Sequence, residues 1–546
     1  MVCSSLYFRA AVFFIALRAC VLAAPEEDLV SSLPLFGKPP TPQYSGYLDG
    51  TDGCDTATNG PFCKLHYWYA EAEGGSADKP IVLWLNGGPG SSSVLGFLQE
   101  NGPLLINATG GLMENPWAWT KVANFFVLES PVGVGYSYCA NQIKRDVCKN
   151  TDKYTASTAR AALVDFFHNK FPELAKNDFF ITGESYAGVY IPTLAKQILE
   201  NAPEINLVGL AVGDPCTDND AQKTSMDALW YSHKYGLVAD AVFDLLWNHC
   251  NLRLPNSMMK NVRMESQEEL YSEMMNNQGP DFQDTNECKL AFRKFLLSTS
   301  RGLSQSWRDM FIDDYSLFAP VTDIEDKLMA EYMNRRDVRE ALHVEATPIR
   351  TWPSPDQGFD YTKEYNACNH DAADDALSMI DFYRKIVPRL LSVWVYNGDT
   401  DPCVSYEGTR TAIERVGFPE VDGGGYRPWF YNHTATTLSV LAEKSAMFGP
   451  DLLVQATGPQ FGGEIVNYEN GLAFLTVHGS GHMVPQFRPQ AALHMLHKLV
   501  SYEDLSPLMP RNATLAKMCH KCFLREMNKW TEKAKEPPYV DEITWM

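Results

Sequence analysis

Short apolar runs alternate with helical patterns along most of this 546-residue chain. Continuous apolar runs of this length are typical of parallel strands that are covered on both faces. The segments between them, such as "STARAALVDFFHNKF" and "AGVYIPTLAKQILEN", carry apolar residues at helical spacing. The alternation predicts an α/β fold with a mostly parallel central sheet and helices on both faces. The expected strands lie at 81–85, 124–129, 178–182, 207–213 and 391–397.

Two further segments break this alternation. Residues 216–325 are rich in Met, Asn, Gln and charge and show no clear strand, which predicts an inserted helical cap. The segment "GGEIVNYENGLAFLTVHG" predicts a hairpin with Asn470-Gly471 as its two-residue turn. A chain this long needs an insertion or a second domain. The expected division is a signal peptide at 1–24, an α/β core at 25–215 and 326–504, the cap at 216–325 and a polar C-terminal tail at 505–546.

The N-terminal segment indicates export. Arg9 precedes an apolar stretch that ends in small residues at Ala23 and Ala24, as in a cleaved secretory signal. A retained anchor is the alternative, but the stretch is short for a membrane span, and no later run is long enough to be one. We therefore expect a protein of the secretory pathway, either secreted or delivered to a lysosome or vacuole, with no membrane span after signal cleavage.

The cysteines agree with export. Of thirteen, Cys3 and Cys20 leave with the signal, so an odd number remains and at least one thiol should be free. A zinc site at Cys519-x-x-Cys522 is less favoured than a disulfide because no second ligand pair lies nearby. Closely spaced cysteines in polar sequence predict three local disulfides: Cys54 with Cys63, Cys139 with Cys148 and Cys519 with Cys522.

Charge and sequons add to this description. The net charge of −21 disfavours nucleic acid and anionic membrane surfaces as partners. Asn107, Asn432 and Asn512 each begin an Asn-x-Thr triplet, so they are candidates for glycosylation in the secretory pathway.

The segment "TGESYAGVY" contains a candidate nucleophile. Gly183 lies two residues before Ser185 and Ala187 two after, with an expected strand before the turn and an expected helix after it. A Gly-x-Ser-x-Gly turn between strand and helix holds a serine hydroxyl above the sheet, and Ala meets the same demand for a small residue. An ordinary Gly-Ser turn is the alternative.

A serine nucleophile needs a base that is itself oriented by an acid, in the chain order Ser, acid, His in this topology. The loop after the strand at 391–397 holds Asp399 and Asp401, and the loop after the predicted hairpin holds His478 and His482. Both loops leave the carboxyl end of a strand, where ligands bind in open α/β sheets. Spacing alone does not choose within either pair.

An oxyanion hole needs two N–H donors. One is expected from Tyr186, the residue after the serine, and the other from the loop "WLNGGPGSSS", where Gly87, Gly88 and Gly90 allow close approach of the backbone. This loop lacks the Gly-Lys-Ser/Thr ending of a phosphate-binding loop, so a nucleotide site is disfavoured. We expect neither a metal nor a cofactor.

Several motifs together resemble the serine carboxypeptidases. They are "WLNGGPGSSS", "ENGP", "SPVGVGYSY", "GESYAGVYIP", "NRRDVREALHV", "YNGDTDPC" and "HGSGHMVP", which occur in that family's order between Tyr44 and Val500. The resemblance implies an α/β-hydrolase fold with a helical cap. It also implies removal of single residues from the C-termini of peptides and proteins at acidic pH.

The resemblance also implies residue roles. Ser185 corresponds to the nucleophile, His482 to the base and Asp401 to the acid that orients it. The backbone N–H groups of Gly88 and Tyr186 correspond to the oxyanion hole. The family's site for the substrate's terminal carboxylate maps onto Asn86, Gly87, Glu100 and Glu184.

Two acids in a carboxylate site require a physical reason. Like charges so close cannot all ionise cheaply, so the pKa values of Glu100 and Glu184 should rise and the two should titrate as a coupled pair. Protonated, they can donate hydrogen bonds to the substrate carboxylate, and at higher pH they would repel it. The alternative is that Glu184 only supports the turn.

The chain also departs from the family pattern. Ser91 stands where the family usually has a disulfide-bonded Cys, and Asp214 stands where it commonly has Asn. Cys250 and Cys288 are a suggested pair in the cap, while Cys216, Cys368 and Cys403 are left unassigned. Two other functions stay open: acyl transfer to an alcohol or amine, and a protective, non-enzymatic role as a binding partner. A homodimer is compatible with the sequence.

Overall fold

The structure is a computed structural model that describes residues 24–254, 278–299, 324–345, 347–353, 359–368, 373, 375–433 and 458–535. The predicted signal peptide lies outside the described residues apart from Ala24. Parts of the predicted cap and the last residues of the tail also lie outside them.

An eleven-stranded sheet forms the centre of the molecule, with strand order β1-β2-β6-β3-β9-β10-β12-β15-β14-β13 and β7 paired to β2. The small pairs β4–β5 and β8–β11 lie apart from it. The strands are β1 (Gln43–Asp49), β2 (Cys63–Ala70), β3 (Ile81–Leu85), β4 (Leu104–Ile106), β5 (Leu112–Glu114), β6 (Asn124–Leu128), β7 (Tyr138–Cys139), β8 (Cys148–Thr151), β9 (Phe179–Glu184), β10 (Leu207–Gly213), β11 (Phe359–Thr362), β12 (Ser392–Gly398), β13 (Arg427–His433), β14 (Gly458–Asn467) and β15 (Leu472–Val477).

The central strands β6, β3, β9, β10, β12 and β15 are mutually parallel. They include all five strands expected from continuous apolar runs, so the predicted α/β fold class is confirmed. Antiparallel strands extend the sheet at both edges, where β1 pairs with β2, β2 with β6, and β13 and β14 follow β15. The sheet is therefore mixed, with its parallel part in the middle.

Helices cover both faces of the sheet. The α-helices of the described residues are α1 (Thr56–Asn59), α2 (Ala140–Ile143), α3 (Asp152–Asp165), α4 (Ala187–Asn201), α5 (Asn219–Gln222), α6 (Ala228–Lys234), α7 (Asp240–Asp244), α8 (Asn286–Thr299), α9 (Ile324–Met333), α10 (Arg336–Ala341), α11 (Met379–Ile386), α12 (Tyr406–Glu414), α13 (Val484–Phe487), α14 (Pro489–Val500), α15 (Asn512–Leu515) and α16 (His520–Lys535).

Each central strand contributes to two hydrophobic cores. In β3, Leu83 joins one core with residues of α3, α4 and α11, and its neighbour Trp84 joins the other with residues of α9 and α14. Successive side chains of a strand point to opposite faces. A strand with apolar packing on both faces needs apolar residues at every position, which explains why the central strands are continuous apolar runs.

The region predicted as a cap is helical where the structure describes it. Helices α5 to α8 lie between 216 and 299, and no described residue of 216–325 forms a strand. Residues of α6 and α8 share a hydrophobic cluster of their own, which includes Cys250 and Cys288. The exact limits of the cap stay a prediction.

The predicted hairpin forms from β14 and β15, but its turn is longer than expected. The N–H of Tyr468 donates to the carbonyl of Leu472 at 2.8 Å, which leaves Glu469, Asn470 and Gly471 in the turn. Asn470 has φ 64° and Gly471 has φ 77°, values that Asn and Gly adopt most readily. The two-residue turn was therefore wrong by one residue.

The C-terminal tail is more structured than its polar composition suggested. It contains α15 and α16, and Trp530 of α16 donates from Nε1 to the carbonyl of Pro507 at 3.1 Å. The guanidinium of Arg427 in β13 donates to the carbonyls of Ser506 and Pro507, both at 2.9 Å. Among the described residues, no helix has the length and apolar content needed to cross a membrane.

Candidate active site

Ser185 occupies a sharp turn between β9 and α4. Its φ is 63°, in the left-handed region that non-glycine residues rarely adopt, and its N–H donates to the carbonyl of Gly213 at 3.0 Å. A Cβ at Gly183 would lie 2.2 Å from the carbonyl oxygen of Leu85, and one at Gly188 would lie 2.5 Å from that of Cys216. The turn therefore has the strained, tightly packed form expected for a nucleophile between strand and helix.

Asp401 and His482 form a buried pair. The Nδ1 of His482 lies 2.8 Å from Oδ2 of Asp401, and the two residues are 3% and 1% exposed. The N–H groups of Cys403 and Val404 also donate to Asp401, at 2.7 and 3.1 Å. These donors stabilise the carboxylate and fix its direction toward the imidazole.

A second Asp–His pair lies beside the first. Nδ1 of His478 is 2.8 Å from Oδ2 of Asp399, but the His478 side chain is 57% exposed. The hydrogen bond to Asp399 raises the pKa of His478. The spacing of these residues in the sequence did not show which pair belongs to the active site. The structure distinguishes them by burial, since Asp401 and His482 are buried and His478 is exposed.

The glycine-rich loop after β3 contacts the serine turn. A Cβ at Gly87 would lie 2.3 Å from the backbone nitrogen of Tyr186 and 2.7 Å from Cβ of Ser185. Gly88 has φ 109°, which favours glycine. The structure therefore brings Gly87 against Ser185 and Tyr186, and the oxyanion hole of Gly88 and Tyr186 stays a prediction.

Asn86 joins the two predicted pocket acids. Its Nδ2 donates to Oε1 of Glu100 and to Oε1 of Glu184, each at 3.0 Å. Both acids are buried, at 2% and 4% exposure, and the Oε2 atom of each has no hydrogen-bond partner. The two carboxyl groups also lie within hydrogen-bonding reach of each other, so a proton on one acid can be donated to the other.

The environment of this pair disfavours two negative charges. Burial raises the pKa of Glu100 to about 7. Burial, followed by the charge of Glu100, raises the pKa of Glu184 well above its usual range. The pair can therefore carry protons at pH values where an exposed glutamate is ionised.

Asp214 is a further acid at the site to which the sequence reasoning gave no role. A carboxylate oxygen of Asp214, one of Asp401 and a ring nitrogen of His482 all lie within 4.8 Å of one another. The available signal was the substitution of Asp for the family's usual Asn in "VGDPCTD".

The disulfides follow the predicted local pairs. Cys54–Cys63, Cys139–Cys148, Cys519–Cys522 and the suggested Cys250–Cys288 are all bonded. Cys216 bonds Cys368 across a separation of 152 residues, a pair that the sequence left unassigned. Cys403 is buried and takes part in none of these disulfides, which agrees with the odd count.

The three sequons differ in their surroundings. Asn512 is exposed, whereas Asn107 and Asn432 are partly buried. Oδ1 of Asn107 accepts a hydrogen bond from the N–H of Thr109 at 2.9 Å. Glycosylation of all three stays a prediction.

The fold and the site together define an α/β hydrolase. The central parallel strands carry the serine turn after β9, the acid after β12 and the histidine after β15, in the chain order typical of that class. The family model described as "Serine carboxypeptidase" matches residues 34–502. The chain belongs to the serine carboxypeptidase family.

Individual relatives agree. "Serine carboxypeptidase-like 34" of Arabidopsis thaliana is 31% identical over 522 residues, covering 90% of this chain and 92% of the relative. "Serine carboxypeptidase-like 35" of the same plant is 32% identical and covers 87% and 91%. The crystal structure of Kex1(delta)p, a prohormone-processing carboxypeptidase from Saccharomyces cerevisiae, matches with a TM-score of 0.56 at 18% identity, covering 85% of this chain and 91% of that chain.

Proposed function

We propose that this protein is an acid serine carboxypeptidase that hydrolyses the last peptide bond of peptides and proteins. The observation that carries the proposal is the buried Asn86–Glu100–Glu184 group, in which Asn86 joins the two acids and Glu184 directly precedes Ser185 in the chain. A pair of protonated acids, one of them adjacent to the nucleophile, suits a substrate whose scissile bond lies next to a free carboxylate.

The proposal assigns each residue of the site a role. Ser185 Oγ attacks the carbonyl carbon of the last peptide bond while His482 accepts its proton. Asp401, held by its N–H donors, orients the imidazole. The N–H groups of Gly88 and Tyr186 stabilise the oxyanion. His482 then gives the proton to the departing amino acid, and water releases the acyl group by the same steps.

The pocket supplies the preference for a C-terminus. The substrate carboxylate accepts hydrogen bonds from protonated Glu100 and Glu184, with Asn86 and the Gly87 backbone beside them. Arg or Lys would bind a carboxylate at any physiological pH, whereas this pair binds it only while protonated. The proposal therefore includes an acidic working compartment, such as a lysosome or vacuole, or an acidic extracellular site.

Acyl transfer is the second candidate because it uses the same acyl-enzyme. The names of the plant relatives, "serine carboxypeptidase-like", describe similarity and do not specify the acceptor. The two functions differ only in whether water or an alcohol or amine attacks the acyl group on Ser185.

One experiment tests the proposal directly. The protein, purified from a secretory host, is given a blocked dipeptide at pH 5, once as the free acid and once as its C-terminal amide, with Ser185→Ala as the control. Fast release of the last residue from the acid, slow release from the amide and none with the variant are expected. Equal cleavage of both substrates would overturn the carboxylate pocket.

Absence of cleavage would overturn the hydrolase and favour the other functions. Adding a low concentration of alcohol then separates them. An acyl product that forms faster than the free acid would identify an acyltransferase. The absence of any product would favour a binding partner.

A further inference from the structure

Asp214 is a buried acid beside the proposed triad that the mechanism above does not use. It directly follows β10 and adopts φ 44°, and its N–H donates to the carbonyl of Tyr396 at 2.7 Å. Asp is among the residues that tolerate a positive φ best. Its backbone is therefore held firmly, with the side chain directed at the loop that contains Asp401.

The two oxygens of Asp214 have different surroundings. Oδ1 accepts hydrogen bonds from the N–H of Gly398 at 2.9 Å and from Nδ2 of Asn397 at 3.2 Å. Oδ2 is buried and has no donor. A buried carboxylate oxygen without a donor is costly, whereas an oxygen that carries a proton can itself donate.

Asp401 is the acceptor within reach. The carboxyl groups of Asp214 and Asp401 lie within 4.8 Å of one another, and two carboxylates so close do not both ionise easily. Asp401 accepts from Cys403, Val404 and His482, so the negative charge is better stabilised there. The remaining proton belongs on Asp214.

We propose that Asp214 retains a proton on Oδ2 and donates it as a hydrogen bond to Asp401, which keeps that carboxylate directed at His482. Asp214 is thus a positioning residue, and the inference rests on the triad of the proposed function. An Asn in its place would accept from Gly398 and Asn397 with its oxygen and donate to Asp401 with its amide at any pH. The carboxyl group donates only while protonated.

The surroundings determine the direction of the pH response. Four groups face Asp214. They are the hydroxyl of Tyr396 in β12, Asp401 in the loop after β12, Glu184 at the end of β9 and His482 in the loop after β15. Burial, followed by the charge of Asp401, raises the pKa of Asp214 well above its usual range. When Asp214 finally ionises, it repels Asp401 and favours the protonated form of His482, which cannot act as a base.

The test measures the reactivity of Ser185 without a substrate carboxylate. Phenylmethylsulfonyl fluoride forms a bond from its sulfur to the serine oxygen and loses fluoride, while His482 takes the hydroxyl proton. The second-order rate is measured from pH 4.5 to 8.5 for wild type and Asp214→Asn. Since this reagent has no carboxylate, ionisation of Glu100 and Glu184 does not prevent its binding.

We expect equal rates at pH 5 within about twofold and a ratio of variant to wild type that rises to about tenfold by pH 8, because a one-unit displacement of an ionisation changes the reactive fraction tenfold. Asp227→Asn is the matched control, since Asp227 is another buried acid, bonded instead to the N–H groups of Leu229 and Leu254. The inactivation rate of Asp227→Asn should depend on pH in the same way as that of the wild-type protein. Superimposable profiles for wild type and a folded Asp214→Asn would overturn the inference.

Two further readouts separate this inference from the proposed function. If Ser185→Ala is still sulfonylated at the wild-type rate, the reactive group lies elsewhere, and the nucleophile assignment fails together with the triad. If the Asp214→Asn profile shifts as expected but no peptide is cleaved, the positioning role stands and the carboxypeptidase proposal fails. With peptides, Asp214→Asn should change the pH dependence of kcat and leave that of KM unchanged; a change confined to KM would contradict it.

Discussion

At the scale of single residues, Asn86 organises the proposed substrate pocket. Its one amide nitrogen donates to Oε1 of both Glu100 and Glu184, so the two acids lie side by side, within hydrogen-bonding reach of each other. The raised pKa values of the pair make it a donor at acidic pH and a repelling anion at higher pH. On the proposed function, the affinity for a substrate carboxylate therefore falls as the pH rises.

This linkage predicts a rise of KM with pH for peptides that have a free C-terminus. Both acids are protonated well below pH 7, so KM should be low there, and it should increase as the pH passes the pKa of about 7 for Glu100. Steady-state kinetics from pH 4.5 to 8 measure this. Glu184→Gln retains a donor at all pH values, so its KM should vary much less. A wild-type KM that is constant across this range would contradict the pocket.

A second prediction concerns the two Asp–His pairs. Replacing the buried His482 by Ala should lower kcat by about a thousandfold or more, because loss of a triad member removes the base. Replacing the exposed His478 by Ala should change kcat by less than about threefold, since surface changes away from the chemistry have small effects. Activity assays at pH 5 on both variants distinguish them. Similar losses in the two would mean that burial does not identify the base.

The sequence could predict these residues only up to a point. Chain order and strand ends placed an acid at Asp399 or Asp401 and a histidine at His478 or His482. Spacing does not reveal burial, so the resemblance was needed to choose between them. From the sequence, Asp214 is visible only as a departure from the family's usual Asn. Its proposed role depends on Asp401, which lies far from it in sequence and close to it in space.

At the scale of elements, the junction between β9 and α4 requires small residues, but the requirement is unequal. A Cβ at Gly188 would lie 2.5 Å from the carbonyl of Cys216 and 2.6 Å from Cβ of Pro215. Position 187 already accepts the Cβ of a fully buried alanine. The second small position of the turn is therefore shared between Ala187 and Gly188.

This predicts opposite outcomes for two conservative changes. Gly188→Ala should destabilise the protein by about 1–3 kcal/mol and reduce kcat, because the added methyl displaces the backbone beneath Ser185. Ala187→Gly should cost no more than about 1 kcal/mol and leave kcat close to wild type. Thermal unfolding and peptide hydrolysis measure both. Full activity in a folded Gly188→Ala variant would show that the turn has more room than the structure indicates.

The elements that the sequence predicted best are those with the simplest environment. The central strands were recognisable because apolar cores lie on both faces. Strand β2 was not recognisable, because its apolar run is interrupted by His66. The buried ring of His66 is stabilised by two hydrogen bonds, one with Ser45 of β1 and one with Glu129 after β6, both at 2.9 Å. The helices of the C-terminal tail were missed because α16 is largely polar and exposed, and its anchoring depends on contacts near β13.

At the scale of the whole molecule, the Cys216–Cys368 disulfide closes the largest loop among the disulfides of the described residues. It spans 152 residues, including the predicted cap, and the N–H of Cys216 also donates to the carbonyl of Ser185 at 3.0 Å. The bond therefore ties the segment before α11 to the serine turn. Cys519–Cys522, by contrast, closes a separation of 3 residues at the exposed end of the chain.

The difference in loop size predicts a difference in stability. Loss of loop-closure entropy suggests that Cys216→Ser with Cys368→Ser costs roughly 5 kcal/mol, whereas the same change at Cys519 and Cys522 costs roughly 1.5 kcal/mol. Denaturant unfolding of both double variants measures this. Equal losses would indicate that the tail disulfide contributes to the core, contrary to its exposure.

The buried acids also predict how stability depends on pH. In the unfolded chain Glu100 ionises near its ordinary value, whereas in the folded protein it retains its proton up to about pH 7. The folded state therefore binds more protons in this interval, so this contribution to the free energy of unfolding falls as pH rises. Between pH 4.5 and pH 7, the free energy of unfolding of the wild-type protein should fall by on the order of 3 kcal/mol relative to that of Glu100→Gln. Parallel unfolding profiles for the two proteins would contradict the raised pKa.

The proton-dependent pocket has a consequence for the biosynthesis of the protein. On the proposed assignment, Glu100 of a newly made molecule in a near-neutral secretory compartment is partly ionised, and its charge weakens the binding of the C-termini of neighbouring proteins. Acidification of the surroundings then strengthens peptide binding, and renewed neutrality weakens it. Such a protein can travel folded among other secretory proteins without an inhibitory segment that must first be cut away, and its activity is reversible where proteolytic activation is not.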